Sequence, residues 1–172
     1  MNERASAPGG LALVEALVNT LDVETGTDSL DTAEGRAAFG LTEGEVPDAR
    51  ELREALRAAC LAHAGHRAGG RSPAELDRLL AAAPLYVTVA EDGTAALRPT
   101  APATLVSRIA EALASSAADG TWPRLKACEA EDCRWAYYDR SPAGRRRWCS
   151  MSVCGARAKM RTYRARRAPA TD

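Results

Sequence analysis

The stretch Cys128-Glu129-Ala130-Glu131-Asp132-Cys133 and, fifteen residues further on, Cys149-Ser150-Met151-Ser152-Val153-Cys154 decide how this chain reads. Two close cysteine pairs separated by a loop suit one tetrahedral ion. Each pair reaches the metal from one knuckle, and the loop brings the knuckles together. Zinc held by four thiolates keeps no open position for a catalytic water, so the site reads as structural. It would stabilise a segment of roughly 40 residues that has few large apolar side chains to bury. Cys128, Cys133, Cys149 and Cys154 are therefore the expected ligands of a single structural Zn2+. An iron–sulfur cluster uses the same thiolate set, and spacing alone does not separate the two. Disulfides fit a reducing compartment poorly.

Working outward, Arg134 to Asp139 is an aromatic, strand-like run, Ser141 to Gly144 a turn, and Arg145-Arg146-Arg147 a basic cluster. Past the second pair, Ala156 to Arg167 reads as a helix. Arg157, Arg161 and Arg164 share one face of it, and Met160 and Tyr163 are able to turn inward. A knuckle, hairpin, knuckle and helix suggest a treble-clef-like finger. Trp135 is expected to pack within it, and Trp122 at its junction with the rest of the chain.

The net charge of zero conceals a division. Residues 1–123 carry 10 Lys/Arg against 18 Asp/Glu, a net of −8, whereas residues 124–172 carry 13 against 5, a net of +8. An acidic body with a basic end points to a polyanionic partner. Arg145, Arg146, Arg147, Arg157, Lys159, Arg161 and Arg164 are the expected nucleic-acid contacts, DNA first among the candidates. The competing reading is that the two charged parts attract each other, or that the finger binds RNA or an acidic protein instead.

The body reads as mainly helical. Leu11, Val14, Leu17, Val18 and Leu21 have helical spacing. A short helix capped by Asp31 or Thr32 follows, then a loop from Gly40 to Pro47 and a long helix from Asp48 to Ala68 ended by Gly69-Gly70. Ser72-Pro73-Ala74-Glu75 has the form of a capping box opening a helix to about Ala83. Leu85 to Ala90 and Ala95 to Arg98, joined through Asp92-Gly93, predict a hairpin. A last body helix spans Pro102 to Ser116. The expected fold class is thus mainly α with a small β-hairpin (α+β), a helical N-terminal domain followed by a four-cysteine finger. No run approaches the ~18 apolar residues that span a bilayer, and Met1 to Gly10 does not read as a signal peptide. A soluble, cytoplasmic protein without membrane association is expected.

Other residues carry weaker signals. His63 and His66 lie three apart but lack a third ligand, and read as exposed helix residues. Cys60 reads as a small apolar core residue. Asn19, Thr20 and Asp22 form a polar patch on an apolar helix, either capping its end or lining a ligand pocket. No phosphate loop or nucleophile–base–acid pattern is present, so no enzymatic activity is expected.

Cys128-x4-Cys133 and Trp148-Cys149-Ser150-Met151-x-x-Cys154-Gly155-Ala156-Arg157, followed by the basic helix, closely resemble the CGNR zinc-finger family. Its members carry an N-terminal helical domain called ABATE, and Asn19-Thr20 resembles that domain's opening motif. The resemblance implies an ABATE-like domain over 1–122 and a CGNR finger over 123–168. It implies a stress-induced bacterial transcription regulator whose finger binds DNA and whose N-terminal domain senses a small-molecule effector or mediates homodimers. Ala156 departs from the motif, which has Asn there. Gly155 is retained, and is expected to supply a backbone conformation that other residues avoid.

Overall fold

Apolar residues three and four apart dictate the first helix, α1 (Leu11–Val18), whose Leu11, Val14, Leu17 and Val18 are completely buried. It stops short of the predicted Leu21 because the chain turns back there. The Ser29 N–H donates to the Thr20 carbonyl (2.8 Å) and the Asp22 N–H to that of Thr27 (2.9 Å). The computed structural model describes residues 6–66, 73–101 and 104–167. The short α2 (Ala33–Ala37) is capped by Thr32, whose hydroxyl accepts the Gly35 N–H at 3.0 Å.

The long helix α3 (Val46–His63) buries Leu52, Ala55, Leu56, Ala59 and Cys60. It ends at Gly65, not at Gly69-Gly70. Gly65 takes φ +82°, its N–H bonds Ala62 O (2.9 Å), and the His66 N–H bonds Leu61 O (3.0 Å). This is a Schellman closure, and glycine is the residue that takes its left-handed position without strain. Ala68, Gly69, Gly70, Ser72 and Pro102, which enter the predicted boundaries, lie outside the described residues. Helix α4 (Pro73–Leu80) leads to the predicted hairpin, β1 (Leu85–Val89) antiparallel to β2 (Ala95–Pro99), with Val87 opposite Leu97. β2 lies against α5 (Leu105–Ala118), whose cap, Thr104, accepts the Ser107 N–H at 3.2 Å.

The finger begins with β3 (Leu125–Ala127), which pairs antiparallel with β4 (Ala136–Tyr138). The two strands enclose the first knuckle, so the hairpin contains the cysteine pair and does not merely follow it. A single π-type turn, Met151–Gly155, then feeds α6 (Ala156–Arg167). The fold is mainly helical with two small antiparallel strand pairs and a four-cysteine finger. Among the described residues, no helix is long and apolar enough to cross a membrane.

One apolar cluster runs through α1, α3 and α5 and takes in Leu125, Ala127 and Ala136 from the finger strands. Trp122 packs against it at the junction. Cys60 sits in this core, where burial pushes its thiol up to about 12. The histidines differ from the exposed pair expected. His63 is half-buried, its Nδ1 lies 2.8 Å from Leu125 O, and its ring meets Trp122 edge-on at 4.6 Å. Burial pushes the His63 pKa down, with the Leu125 carbonyl pulling it partly back. His66 is partly covered and lies 3.7 Å from the Glu129 carboxylate.

The core also holds charge. Asp28 accepts from Arg53 Nη1 (2.7 Å), Arg50 Nε (3.1 Å) and the Leu30 N–H (3.0 Å). Burial works to raise its pKa, but Arg53, the Leu30 amide and Arg50 together hold it below the usual carboxylate value. Removing Asp28 takes the carboxylate from the buried Arg53 Nη1, which keeps only Thr20, leaves Glu54 as the one acid on Arg53 through Nε, and deprives the Leu30 N–H of its acceptor. Asp28→Ala is therefore expected to destabilise the chain by about 3–5 kcal/mol in denaturant titration, and an unchanged midpoint would contradict this assignment.

Candidate functional site

The four cysteines of the finger converge. One sulfur from each lies within 4.8 Å of all the others. Cys133 and Cys149 Sγ are 3.6 Å apart, and Cys149 and Cys154 Sγ 3.8 Å. A tetrahedron with Zn–S arms of about 2.3 Å has S···S edges of about 3.8 Å, so the donor set fits one zinc ion. The separations are far beyond a disulfide bond of about 2.05 Å. Packed together as thiols, the group cannot ionise freely. Cys128, which accepts from Cys133 and Cys149, is driven down, while Cys133, Cys149 and Cys154 are pushed up by the same crowding and by burial. A divalent cation removes that conflict, because it binds thiolates.

Local structure places each ligand. The Cys128 N–H bonds Trp135 O (2.9 Å), and the Cys133 N–H bonds Ala130 O (3.0 Å), closing the first knuckle. Arg134 then takes φ +53°, the left-handed conformation, where the chain leaves the knuckle for β4. Trp135 and Trp148 flank the sulfur cluster, as does Tyr137, whose hydroxyl donates to Arg146 O (2.8 Å). Gly155 does not have the left-handed backbone expected of it. Its role is spatial, since an added Cβ would stand 3.2 Å from the Met151 thioether and 3.6 Å from Trp148. Ala156, in place of the motif's Asn, lies exposed in the first turn of α6.

A buried ion pair supports the second half of the finger. Lys126 Nζ bonds Asp139 Oδ2 at 3.0 Å, and both side chains are shielded from water. Asp139 also accepts from the Ser141 N–H (3.0 Å), the Ser141 hydroxyl (2.6 Å) and the Arg146 N–H (2.9 Å). Burial opposes its ionisation, but these donors prevail and hold the carboxyl well below the usual range. Nothing in the sequence singles out Asp139, and Lys126 is one among the 13 basic residues of 124–172. No local pattern marks the pair, because β3 is buried at all three positions and Asp139 follows the end of β4.

The predicted basic residues divide into two groups. Arg146 is partly buried, donates to Cys149 O (3.0 Å) and lies over the Tyr137 ring. Arg147 pairs with Glu129 and covers Trp148. Arg157 meets Glu24 at 3.1 Å and Asp132 at 3.8 Å, and Arg161 meets Asp132 at 3.7 Å. Arg145, Lys159 and Arg164 are exposed, with no ion-pair partner among the described residues. α6 buries no residue at all, so Met160 and Tyr163 do not turn inward. They are 50% and 52% exposed.

The polar patch on α1 also separates. Asn19 and Asp22 line a cleft of about 650 Å³ between α1 and the sulfur cluster. Asn19, however, is bonded through both atoms of its amide to Ala136 of β4, at 2.7 and 3.0 Å. Thr20 is buried away from that cleft, donating to Leu17 O (2.8 Å) and accepting from Arg53 (3.1 Å). Asp22 accepts the Glu24 and Thr25 amides and shapes the turn after α1.

Fold and site together define a helical domain bearing a four-cysteine zinc finger with a projecting basic helix. Family comparison agrees. The ABATE model, described as "Putative stress-induced transcription regulator", matches residues 11–120, and the CGNR zinc-finger model matches residues 124–167. The chain belongs to the ABATE family, with a CGNR zinc finger at its C-terminal side. No curated protein matches it.

Elemental analysis is expected to find one zinc per chain, and none in Cys149→Ser. Asp139→Asn leaves the Lys126 ammonium buried without its counter-ion. It is expected to cost about 3 kcal/mol or more in thermal or chemical denaturation. Wild-type behaviour of this variant would mean the pair is not closed to solvent.

Proposed function

We propose that this protein is a DNA-binding transcription regulator, cytoplasmic and without enzymatic activity, in which 123–168 docks on duplex DNA and 1–122 senses an effector or mediates dimerisation. The observation that carries this reading is α6. It is a helix with no buried residue that holds Arg157, Lys159, Arg161, Arg164, Arg166 and Arg167, and it is anchored at its first turn by the zinc knuckle. A helix that buries nothing gains little from folding alone. A surface of clustered cations without a covering partner suits phosphates.

Arg145, Lys159, Arg164 and Arg166 are the contacts we assign first, because no acid holds them among the described residues. Arg157 and Arg161 exchange Asp132 and Glu24 for phosphate at little cost, since half-exposed ion pairs are weak. Arg146 and Arg147 act mainly by shaping the finger. For the body, a groove of about 510 Å³ floored by Leu52, Leu79 and Leu105 supports effector binding. The outward Tyr86, Val87 and Val89 of β1 support pairing between copies. A second reading, a finger that binds protein or RNA, draws support from the exposed Met151, Val153, Met160 and Tyr163.

Duplex DNA binding at varied salt separates these readings. The logarithm of affinity is expected to fall steeply with that of salt, about 0.9 per phosphate contact. Replacing Arg145, Lys159 and Arg164 with alanine should flatten the slope by about 2.7, three contacts at about 0.9 each. A slope near zero in the wild-type protein would remove the DNA reading.

A further inference from the structure

We infer that Asn19 and Arg57, both in the N-terminal domain, are positioning residues of the zinc centre, so that metal occupancy and the end of α1 are energetically coupled. The proposal rests on the zinc site and not on DNA binding.

The Asn19 amide faces the backbone of Ala136 as one more strand residue would. Its Oδ1 accepts the Ala136 N–H at 2.7 Å, and its Nδ2 donates to Ala136 O at 3.0 Å. Those backbone groups lie on the edge of β4 opposite to the metal ligands' own strand bonds. One residue earlier, Trp135 O accepts the N–H of Cys128 (2.9 Å). One residue before that, Arg134 O accepts Arg57 Nη1 at 2.9 Å. Arg57 is itself buried and fixed. Its Nη2 donates to Val18 O (2.8 Å), the last residue of α1, and its Nε to Glu54 (3.1 Å). A single guanidinium thus joins the end of α1 to the residue that follows Cys133.

Three consecutive finger residues, Arg134, Trp135 and Ala136, are therefore held from two sides. Zinc fixes them through Cys128 and Cys133, and the helical domain fixes them through Asn19 and Arg57. Arg134 is also the one non-glycine residue with positive φ among those described. Such a conformation persists where surrounding contacts over-determine it. The contacts that Asn19 and Arg57 make with the finger all go to backbone groups, so they depend on the path of the chain and not on finger side-chain identity. If zinc holds the path that Asn19 and Arg57 recognise, each must strengthen the other by the same factor.

The test compares full-length, zinc-loaded Asn19→Ala with Thr20→Val. Thr20 is the neighbouring buried residue, and its bonds stay within the helical domain. The readout is the rate of zinc transfer to a chromogenic chelator at neutral pH. Asn19→Ala, which leaves two buried backbone groups unpaired, is expected to release zinc about tenfold faster. Thr20→Val should stay within about twofold of wild type even though it also lowers the melting temperature. Asn19→Asp keeps the acceptor but loses the donor, and should fall between. Equal release rates for Asn19→Ala and Thr20→Val would overturn the proposal. Should Asn19→Ala not fold, hydrogen exchange on the wild type decides. Removing zinc is expected to deprotect the Asn19 and Thr20 amides along with those of the finger. Unchanged protection at the end of α1 would overturn it equally.

Discussion

Four sulfurs cannot be brought within a few ångströms of one another as thiolates unless a cation sits among them. That electrostatic requirement organises the C-terminal third of the chain. Once the ion holds Cys128 and Cys133 to Cys149 and Cys154, the course of the intervening loop is limited. The helix after Cys154 must then leave in a set direction. A segment with so little apolar surface has no comparable source of order in its own core.

The metal does not act alone. Asp139 gathers Lys126, Ser141 and the Arg146 amide into a water-free knot on the far side of β4, and fixes the loop between the knuckles. On the near side, Leu125, Ala127 and Ala136 enter the same apolar cluster as α1, α3 and α5. The finger is therefore clamped by ionic, polar and apolar contacts of different range. The basic helix that it carries buries no residue and is tied back only by the half-exposed ion pairs of Arg157 and Arg161, which leaves its remaining cations available to a partner.

Much of this was legible in the sequence, and what was not has physical reasons. The cysteine spacing, the hairpin around Asp92-Gly93 and the buried stripe of α1 are short-range patterns, and they appear where the residues place them. Helix ends were less readable. Gly65 stops α3 because its left-handed backbone turns its own amide and that of His66 back onto the Ala62 and Leu61 carbonyls, a geometry that the Gly69-Gly70 pair obscured. Asn19 announced itself as a polar residue on an apolar helix, but its partner lies 117 residues away. No local pattern encodes a contact at that range. Likewise the arginines looked equivalent in a list of charges. Only three-dimensional placement distinguishes Arg146, which braces Cys149, from Arg145 and Arg164, which face water.

The shared apolar cluster also bears on whether the two parts are separable. A zinc finger that folds by itself on binding its metal shares no interior with its neighbours. Here a cut near Trp122 would divide one interior into two incomplete halves, separating Leu125 and Ala136 from the leucines of α1 and α3. The two parts therefore share one stability, and substitutions that leave that interior untouched have their freest ground along the exposed length of α6.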